Sequence, residues 1–327
     1  MKIFVFSYRD FDEAEHFTEE AKRTGVTLGI CRSAPTLETI GQAAGYDCIS
    51  ILTTPLDAPL LREIKRLGIR MISTRTIGYD HVDVKEAAAL GLKLSNASYS
   101  PDGVADYAIM MMLMASRKMK RIMQRSEIQD YTLPGIQGRE FSAMTVGIVG
   151  TGRIGRTVAR HLSGFGCTVL ACDKYENDET KQYARYVSME EIWRSCDLIS
   201  LHLPLTDDNY HMVNRETIAK MKDKAILVNT ARGSLVDSEA LIEGIESGKI
   251  GAAALDVVED EFGMYYYDRK SDVLINRPLA ILKSFPNVIV TPHMAFYTDR
   301  DVKDMVHASV ESCLLEEKGE ENPWKVL

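Results

Sequence analysis

Three kinds of side chain in the C-terminal half of this 327-residue chain stand where packing gives them little to do. Arg232 follows the apolar run AILVNT, in Asn229-Thr230-Ala231-Arg232-Gly233. His293 follows VIVTP, and the acidic run Glu259-Asp260-Glu261 follows AAALDVV. A guanidinium grips a carboxylate through two parallel hydrogen bonds, a geometry a lysine does not match. An imidazole passes a proton at neutral pH, its ordinary pKa being about 6.5. A carboxylate beside it favours the charged imidazolium. Together such groups would hold an acidic substrate and protonate its carbonyl oxygen. Spacing alone does not separate Glu259, Asp260 and Glu261. The other histidines have plainer settings: His16, His161 and His307 on helical patterns, His81 and His211 in loops, His202 inside a strand as a core residue.

Upstream, Gly150-Thr151-Gly152-Arg153-Ile154-Gly155 matches GxGxxG, a weak pattern alone. Its setting strengthens it: the strand-like run Thr145–Val149 precedes, the helical run Arg156–Leu162 follows, and a second strand, Thr168–Ala171, leads to Asp173, eighteen residues past Gly155. Gly150 permits the tight turn, Gly152 lets a pyrophosphate approach the backbone, and Gly155 lets helix and strand pack closely. The pyrophosphate then meets the positive end of a helix. Asp173 would accept from ribose hydroxyls and repel a 2′-phosphate, which favours NAD over NADP, with Lys174 softening the preference. A hydride carrier beside a cation, an acid and a carboxylate is the outfit for reducing a 2-oxo acid.

The elements that must position these groups alternate from end to end, the pattern of parallel sheets with helices on both faces. KIFVFS, a helix over Phe11–Arg23 ending at Gly25, and VTLGIC form one unit. CISIL, Leu60–Leu67 bracketed by Asp57 and Gly68, and RMIST form the next; Val84–Leu90 and LKLSN close a first lobe near Ser98. Pro101 opens a helix predicted to run through Met119. A second lobe contains MTVGIVGTGRIG, TVLACD, DLISLHLP, AILVNT, AAALDVV and VIVTPH, and a helix over Asp299–Glu316 carries enough Val, Met and Leu to pack back on a neighbour. The stretch Glu259–Leu279 crowds three tyrosines among charges and reads as a loop beside a site. The fold class is α/β, two Rossmann-like doubly wound parallel-sheet domains.

Bulk properties exclude several functions. A net charge of −8 offers no surplus to a phosphate backbone, so no nucleic-acid partner is expected. The one dense basic patch, Arg117, Lys118, Lys120 and Arg121, sits at a helix end where cations suit the dipole. No apolar run reaches a membrane span, and MKIFVFSYRD lacks the core of a signal peptide. The cysteines lack CxxC pairs, and Cys31, Cys48, Cys167, Cys172 and Cys196 lie in or beside apolar runs, so buried thiols in a reducing cytoplasm are expected. No metal-ligand spacing occurs.

At these residues the chain resembles the D-isomer-specific 2-hydroxyacid dehydrogenase family over essentially its full length. The resembling segments are STRTIGYDHVD, NASYSPDGVADYA, MTVGIVGTGRIG, LVNTARGSLVD, AALDVVEDE and NVIVTPHMAFYT. Within the family it is most similar to D-lactate dehydrogenases, including the type of vancomycin-resistance operons. The resemblance implies that Arg232 binds and polarises the substrate, that His293 is the proton donor, and that Glu261, five residues beyond Asp256, is its carboxylate partner. Many relatives have Pro after that glutamate, where this chain has Phe262. Gly150, Gly152, Arg153, Ile154, Gly155, Asp173, Leu203, Pro204, Asn209, Thr230, Ala231 and Asp256 would meet NAD. The backbone of Ile77 and Gly78 would receive the substrate carboxylate, and Tyr99 and Phe296 would line the side-chain pocket.

By the same resemblance, residues 1–100 and 299–327 form the substrate domain and 101–298 the dinucleotide domain, with a cleft between them. A homodimer through the dinucleotide domain is implied, and Met110–Met114 would serve that interface or lie between the lobes. The implied activity is NAD-dependent reduction of pyruvate to D-lactate. Its rivals are the same chemistry on 2-oxoisocaproate or phenylpyruvate, since a methylene discriminates by only about 1–3 kcal/mol, and an NAD-sensing scaffold of the corepressor kind that shares the fold.

Overall fold

The computed structural model describes residues 1–327 and divides them into two compact units, Met1–Ser100 with Tyr297–Leu327, and Pro101–Phe296. In the first, β1 (Lys2–Val5), β2 (Thr27–Ile30), β3 (Cys48–Ile51), β4 (Met71–Thr74) and β5 (Lys93–Ser95) form a parallel sheet in the order β2-β1-β3-β4-β5. In the second, β6 (Thr145–Val149), β7 (Thr168–Cys172), β8 (Arg185–Tyr186), β9 (Leu198–Leu201), β10 (Ala225–Asn229), β11 (Ile250–Leu255) and β12 (Val288–Val290) form a parallel sheet in the order β12-β11-β10-β9-β6-β7-β8. Both orders reverse direction once, the topology of doubly wound sheets.

The helices in chain order are α1 (Ala14–Thr24), α2 (Ala58–Arg66), α3 (Val84–Ala89), α4 (Pro101–Ser116), α5 (Met119–Glu127), α6 (Arg153–Leu162), α7 (Asp178–Lys181), α8 (Met189–Ser195), α9 (Arg215–Lys220), α10 (Ser238–Glu246), α11 (Arg277–Ser284) and α12 (Asp299–Lys318). Their ends follow local chemistry. The Asp57 carboxylate accepts from Leu60 N–H at 3.1 Å, with Pro59 in the first turn of α2. Gly25 closes α1 in the left-handed region at φ 73°.

Each sheet is covered on both faces. In the first unit Ile49, Leu61, Ile64 and Ile72 fill one layer, and Val5, Phe17, Val306 and Val310 the other. In the second, Ile199, Trp193 and Leu241 fill one, and Ala108, Met112, Ile148 and Val158 the other. The last helix packs on the first sheet through more than its apolar face. Ser50, Ser73 and Ser95, on three successive strands, meet Ser309 or Ser312 of α12 at 2.7, 3.2 and 2.8 Å, all buried. Small hydroxylated residues bring helix and sheet close while satisfying each other's polar atoms.

One expectation needs correction. The helix from Pro101 does not reach Met119: Lys118 sits at φ 54°, and the chain restarts as α5. The break lets Lys120 turn its ammonium onto the carbonyls of Lys283, Phe285 and Val288 at 2.7–2.8 Å. Lys118, Lys120 and Arg121 therefore stand at the start of α5 rather than at the negative end of a helix, and Lys120 serves carbonyls at and after the end of α11 instead. Within the run Met110–Met114, Met111 and Met112 are fully buried in the second unit's core, Met110 is exposed, and Leu113 and Met114 are half-buried.

The first unit also buries an ion pair. Arg75 and Glu13 are both 0% exposed, with Arg75 Nε donating to Glu13 Oε1 at 3.0 Å, Nη1 to Ser50 Oγ at 2.8 Å and Nη2 to Phe6 O at 3.0 Å. Burial pushes the guanidinium below its ordinary pKa, and Glu13 opposes the shift. Arg75→Ala leaves the buried Glu13 carboxylate with Arg9 alone, at 3.2 Å, so urea unfolding should show a loss toward the low end of about 3–5 kcal/mol. The double variant Glu13→Gln, Arg75→Met should lose less; equal losses would show that packing, rather than the half-paired charge, dominates.

Candidate active site

The second sheet delivers its loops at the carboxyl ends of parallel strands, and the fingerprint turn leaves β6 there. Gly150 adopts φ 92°, and a Cβ on it would press on the carbonyl of His202. A Cβ on Gly155 would collide with the carbonyl of Gly150, so this glycine permits the crossing of helix and turn. A Cβ on Gly152 would meet nothing within 4 Å, which leaves open space above the N-terminus of α6. That opening suits a pyrophosphate, and no side chain caps the helix there. Arg153 and Ile154 form the first turn of α6. Asp173 stands just past β7, its carboxylate accepting from Thr151 N–H at 2.5 Å and Tyr175 N–H at 3.0 Å, which ties the turn to the neighbouring strand.

Further along the same edge, Asn209 folds the loop after β9 around itself. Its amide donates to Pro204 O at 2.8 Å and its carbonyl accepts from Thr206 N–H at 2.8 Å, with Leu203 packed on the core below. Thr230 Oγ1 is buried without a hydrogen-bond partner. An orphaned hydroxyl at the end of β10 fits a bound dinucleotide that completes it. His202 is different: its ring Nε2 lies 2.9 Å from Ser200 Oγ, and burial pushes its pKa down to about 4, so it is neutral at physiological pH.

The turn after β10 carries Arg232. Asn229 shapes it, donating to Arg232 O at 2.8 Å and accepting from Ala231 N–H at 3.0 Å. Gly233 lets this turn lie against the turn after β11, since a Cβ there would collide with the Val258 carbonyl group. The acidic run sits in that second turn, and the structure separates its members. Glu261 Oε1 accepts from His293 Nδ1 at 2.5 Å while Oε2 accepts from Val258 N–H at 3.0 Å. Glu259 instead takes His211 Nε2 at 2.6 Å and Ser238 N–H at 3.0 Å. Asp260 lies between them at φ 55°, which turns its two neighbours to different partners.

His293 is itself held at φ 53°, with its N–H donating to Asp256 O at 2.7 Å. Because a carboxylate only accepts, Nδ1 carries the proton facing Glu261, and Nε2 is the nitrogen turned to other business. Asp256 is fully buried. Its oxygens accept from Thr291 Oγ1 at 2.6 Å, Met294 N–H at 2.9 Å and Ala295 N–H at 2.9 Å, so the carboxylate expected beside the cofactor shapes the histidine's turn. Phe296 and His293 stand edge to face at 6.4 Å between ring centroids. Of the remaining expected residues, Ile77 and Gly78 lie in the first unit after β4, their carbonyls tied to Asn96 at 2.7 Å and Thr76 at 2.6 Å, and Tyr99 lies after β5. The His211–Glu259 pair and the brace of Asp256 were missed; neither partner is near the other in sequence.

The family description "D-isomer specific 2-hydroxyacid dehydrogenase, NAD binding domain" matches residues 109–295. The chain is 41% identical to an aromatic 2-oxoacid reductase of Clostridium sporogenes, over 95% of this chain and 94% of that one. It is 39% identical to a D-specific alpha-keto acid dehydrogenase of Enterococcus faecium, over 95% and 96%. The chain belongs to the D-isomer-specific 2-hydroxyacid dehydrogenase family. The solved structure of a D-lactate dehydrogenase from Treponema pallidum superposes on this dehydrogenase with a TM-score of 0.90 at 33% identity, covering both chains in full. The chain is therefore an NAD-dependent enzyme whose two parallel-sheet domains follow the family's architecture.

The neutral His202 predicts an acid weakness. Between about pH 6.5 and 4 the unfolded chain takes up a proton that the folded dehydrogenase refuses, so stability should fall as pH drops through that window and change little above it. The loss should be on the order of 2–3 kcal/mol. Urea midpoints for His202→Gln should show a shallower acid slope; an unchanged slope would mean that this ring does not set it.

Proposed function

We propose that this dehydrogenase reduces the 2-oxo group of a small acid, in the first place pyruvate, giving D-lactate. The observation that carries the reading is the 2.5 Å bond from His293 Nδ1 to Glu261 Oε1, which commits one ring nitrogen and leaves the other as acid. When NADH is bound it supplies the hydride that goes to C2 of the substrate. Arg232 grips the carboxylate and draws charge from the carbonyl. His293 gives the carbonyl oxygen a proton from Nε2, and Glu261 stabilises the charged imidazole before that transfer. Asp173 places a negative charge where a 2′-phosphate would sit, which supports NAD over NADP.

The first unit is assigned as the substrate domain, with Ile77 and Gly78 receiving the carboxylate and Tyr99 beside the substrate side chain. The second holds the dinucleotide through Gly150, Gly152, Gly155, Leu203, Pro204, Asn209, Thr230 and Ala231. We assign the enzyme to the cytoplasm as a homodimer formed through the second unit. In support, α5 buries none of its side chains, and Met123, Ile128, Tyr131 and Leu133 on and after it are exposed.

A second reading, the same chemistry on an aromatic 2-oxo acid, has its own support: the aromatic neighbours of His293, and the higher identity to an aromatic 2-oxoacid reductase than to the D-lactate dehydrogenase. NADH oxidation with pyruvate, 2-oxoisocaproate and phenylpyruvate, with chiral analysis of the products, decides between them. The first reading expects the highest kcat/KM with pyruvate and a D product; no turnover across the panel would favour an NAD-sensing scaffold.

His293→Gln should lower kcat by about 10²–10⁴-fold with NADH affinity unchanged. Arg232→Lys should lower kcat/KM through the lost two-point grip. A His293→Gln enzyme with normal kcat would remove the histidine from its role.

A further inference from the structure

Three consecutive tyrosines stand in the irregular stretch before α11, and their surroundings differ. Tyr265 packs inward against the second unit's core, and burial raises its hydroxyl pKa. Tyr267 faces outward, with the Arg269 guanidinium over its ring at 5.2 Å. Tyr266 turns the other way. Its ring lies 6.4 Å from that of His293 and 6.3 Å from that of Phe296, the latter edge to face at 86°. Its hydroxyl donates to the backbone carbonyl of His293 at 2.8 Å. Its φ of 70° is a conformation side chains rarely adopt, so the residue is held by what it touches rather than by local preference. About half of its surface remains exposed.

We propose that Tyr266 is a specificity-determining residue of this dehydrogenase, its ring joining Phe296 in an aromatic wall that extends the 2-oxo acids accepted from pyruvate to those with a flat aromatic side chain. The proposal rests on the 2-oxo acid reduction argued above. The wall is anchored to the proton donor itself, because the same phenol that presents the ring is bonded to the backbone of His293. The bond reaches the carbonyl and leaves the imidazole nitrogens alone, so the ring selects without competing for the proton. Rings prefer offset or edge-to-face neighbours, and a benzyl group offers both an edge and a face to such a wall. A methyl group has neither. The hydroxyl and the ring therefore have separable consequences: the first steadies His293 for every substrate, the second ranks substrates.

The test compares kcat/KM for phenylpyruvate and for pyruvate in the wild type, Tyr266→Phe and Tyr266→Ala, with circular dichroism melts to check folding. Tyr266→Phe keeps the ring and should hold the ratio of the two values within about twofold, even where the lost hydroxyl lowers both. Tyr266→Ala should lower that ratio by about fivefold or more. A ratio unmoved in Tyr266→Ala, or both values falling alike, overturns the assignment of Tyr266 while the reductase reading stands. A wild-type enzyme that turns over no 2-oxo acid overturns the reductase reading, and this proposal with it.

Discussion

A single charge-assisted hydrogen bond, from His293 to Glu261, makes demands on most of the second unit. Its two ends are 32 residues apart and leave different strands, so it forms only where the turns after β11 and β12 lie side by side. Parallel pairing of those strands, with Ala253 beside Val288 and Leu255 beside Val290, fixes that neighbourhood. The histidine must then accept a left-handed backbone, at a cost of about 1 kcal/mol for a residue with a Cβ. Bonds to a charged partner contribute about 1.5–3 kcal/mol each, and the turn is further fastened by Asp256 to three groups. The fastening outweighs the strain, so the ring is held with Nδ1 on Glu261 and Nε2 turned away from it.

The same edge of the sheet gathers the residues proposed for chemistry and for the cofactor. Strands β6, β9, β10, β11 and β12 all release their loops on the carboxyl side, and each loop carries at least one residue of the candidate site. Glycines occur there for a steric reason. Gly155 permits one close crossing and Gly233 another, the first beneath the dinucleotide turn and the second between Arg232 and the acidic turn. Replacing either would move a functional group indirectly, by pushing apart two stretches of backbone.

What could be read in the sequence was what is local in it. The fingerprint, its flanking strand and helix, and Asp173 fall within about one βαβ unit, and the fold placed them together as the spacing implied. The choice among Glu259, Asp260 and Glu261 was not local, because it depends on the positive φ of Asp260 and on two histidines far along the chain. Resemblance picked Glu261, and the geometry gives the reason. The break at Lys118 was hidden too: nothing in Arg117-Lys118-Met119 forbids a helix, and the carbonyls of α11 that reward the bend are over 160 residues away. The methionine run hid a division that only packing makes: α4 buries Met111 and Met112 within its own unit and leaves Met110 exposed.

Three histidines near this edge have the same ring and different fates. His202, expected inside a strand as a core residue, stands just past β9, half-buried against a serine, and desolvation keeps it neutral. His211 meets Glu259, but that carboxylate also accepts from Ser238 at the start of α10, so the pair ties the loop after β9 to the start of a helix. His293 meets Glu261, whose second oxygen is held only by the turn it belongs to, and aromatic rings rather than helix termini surround it. A histidine–carboxylate pair is therefore not by itself a catalytic signature. The distinction lies in what stands around the imidazole: the start of a helix makes the first pair a brace, whereas aromatic rings surround the second, the setting that supports the acid role proposed for His293.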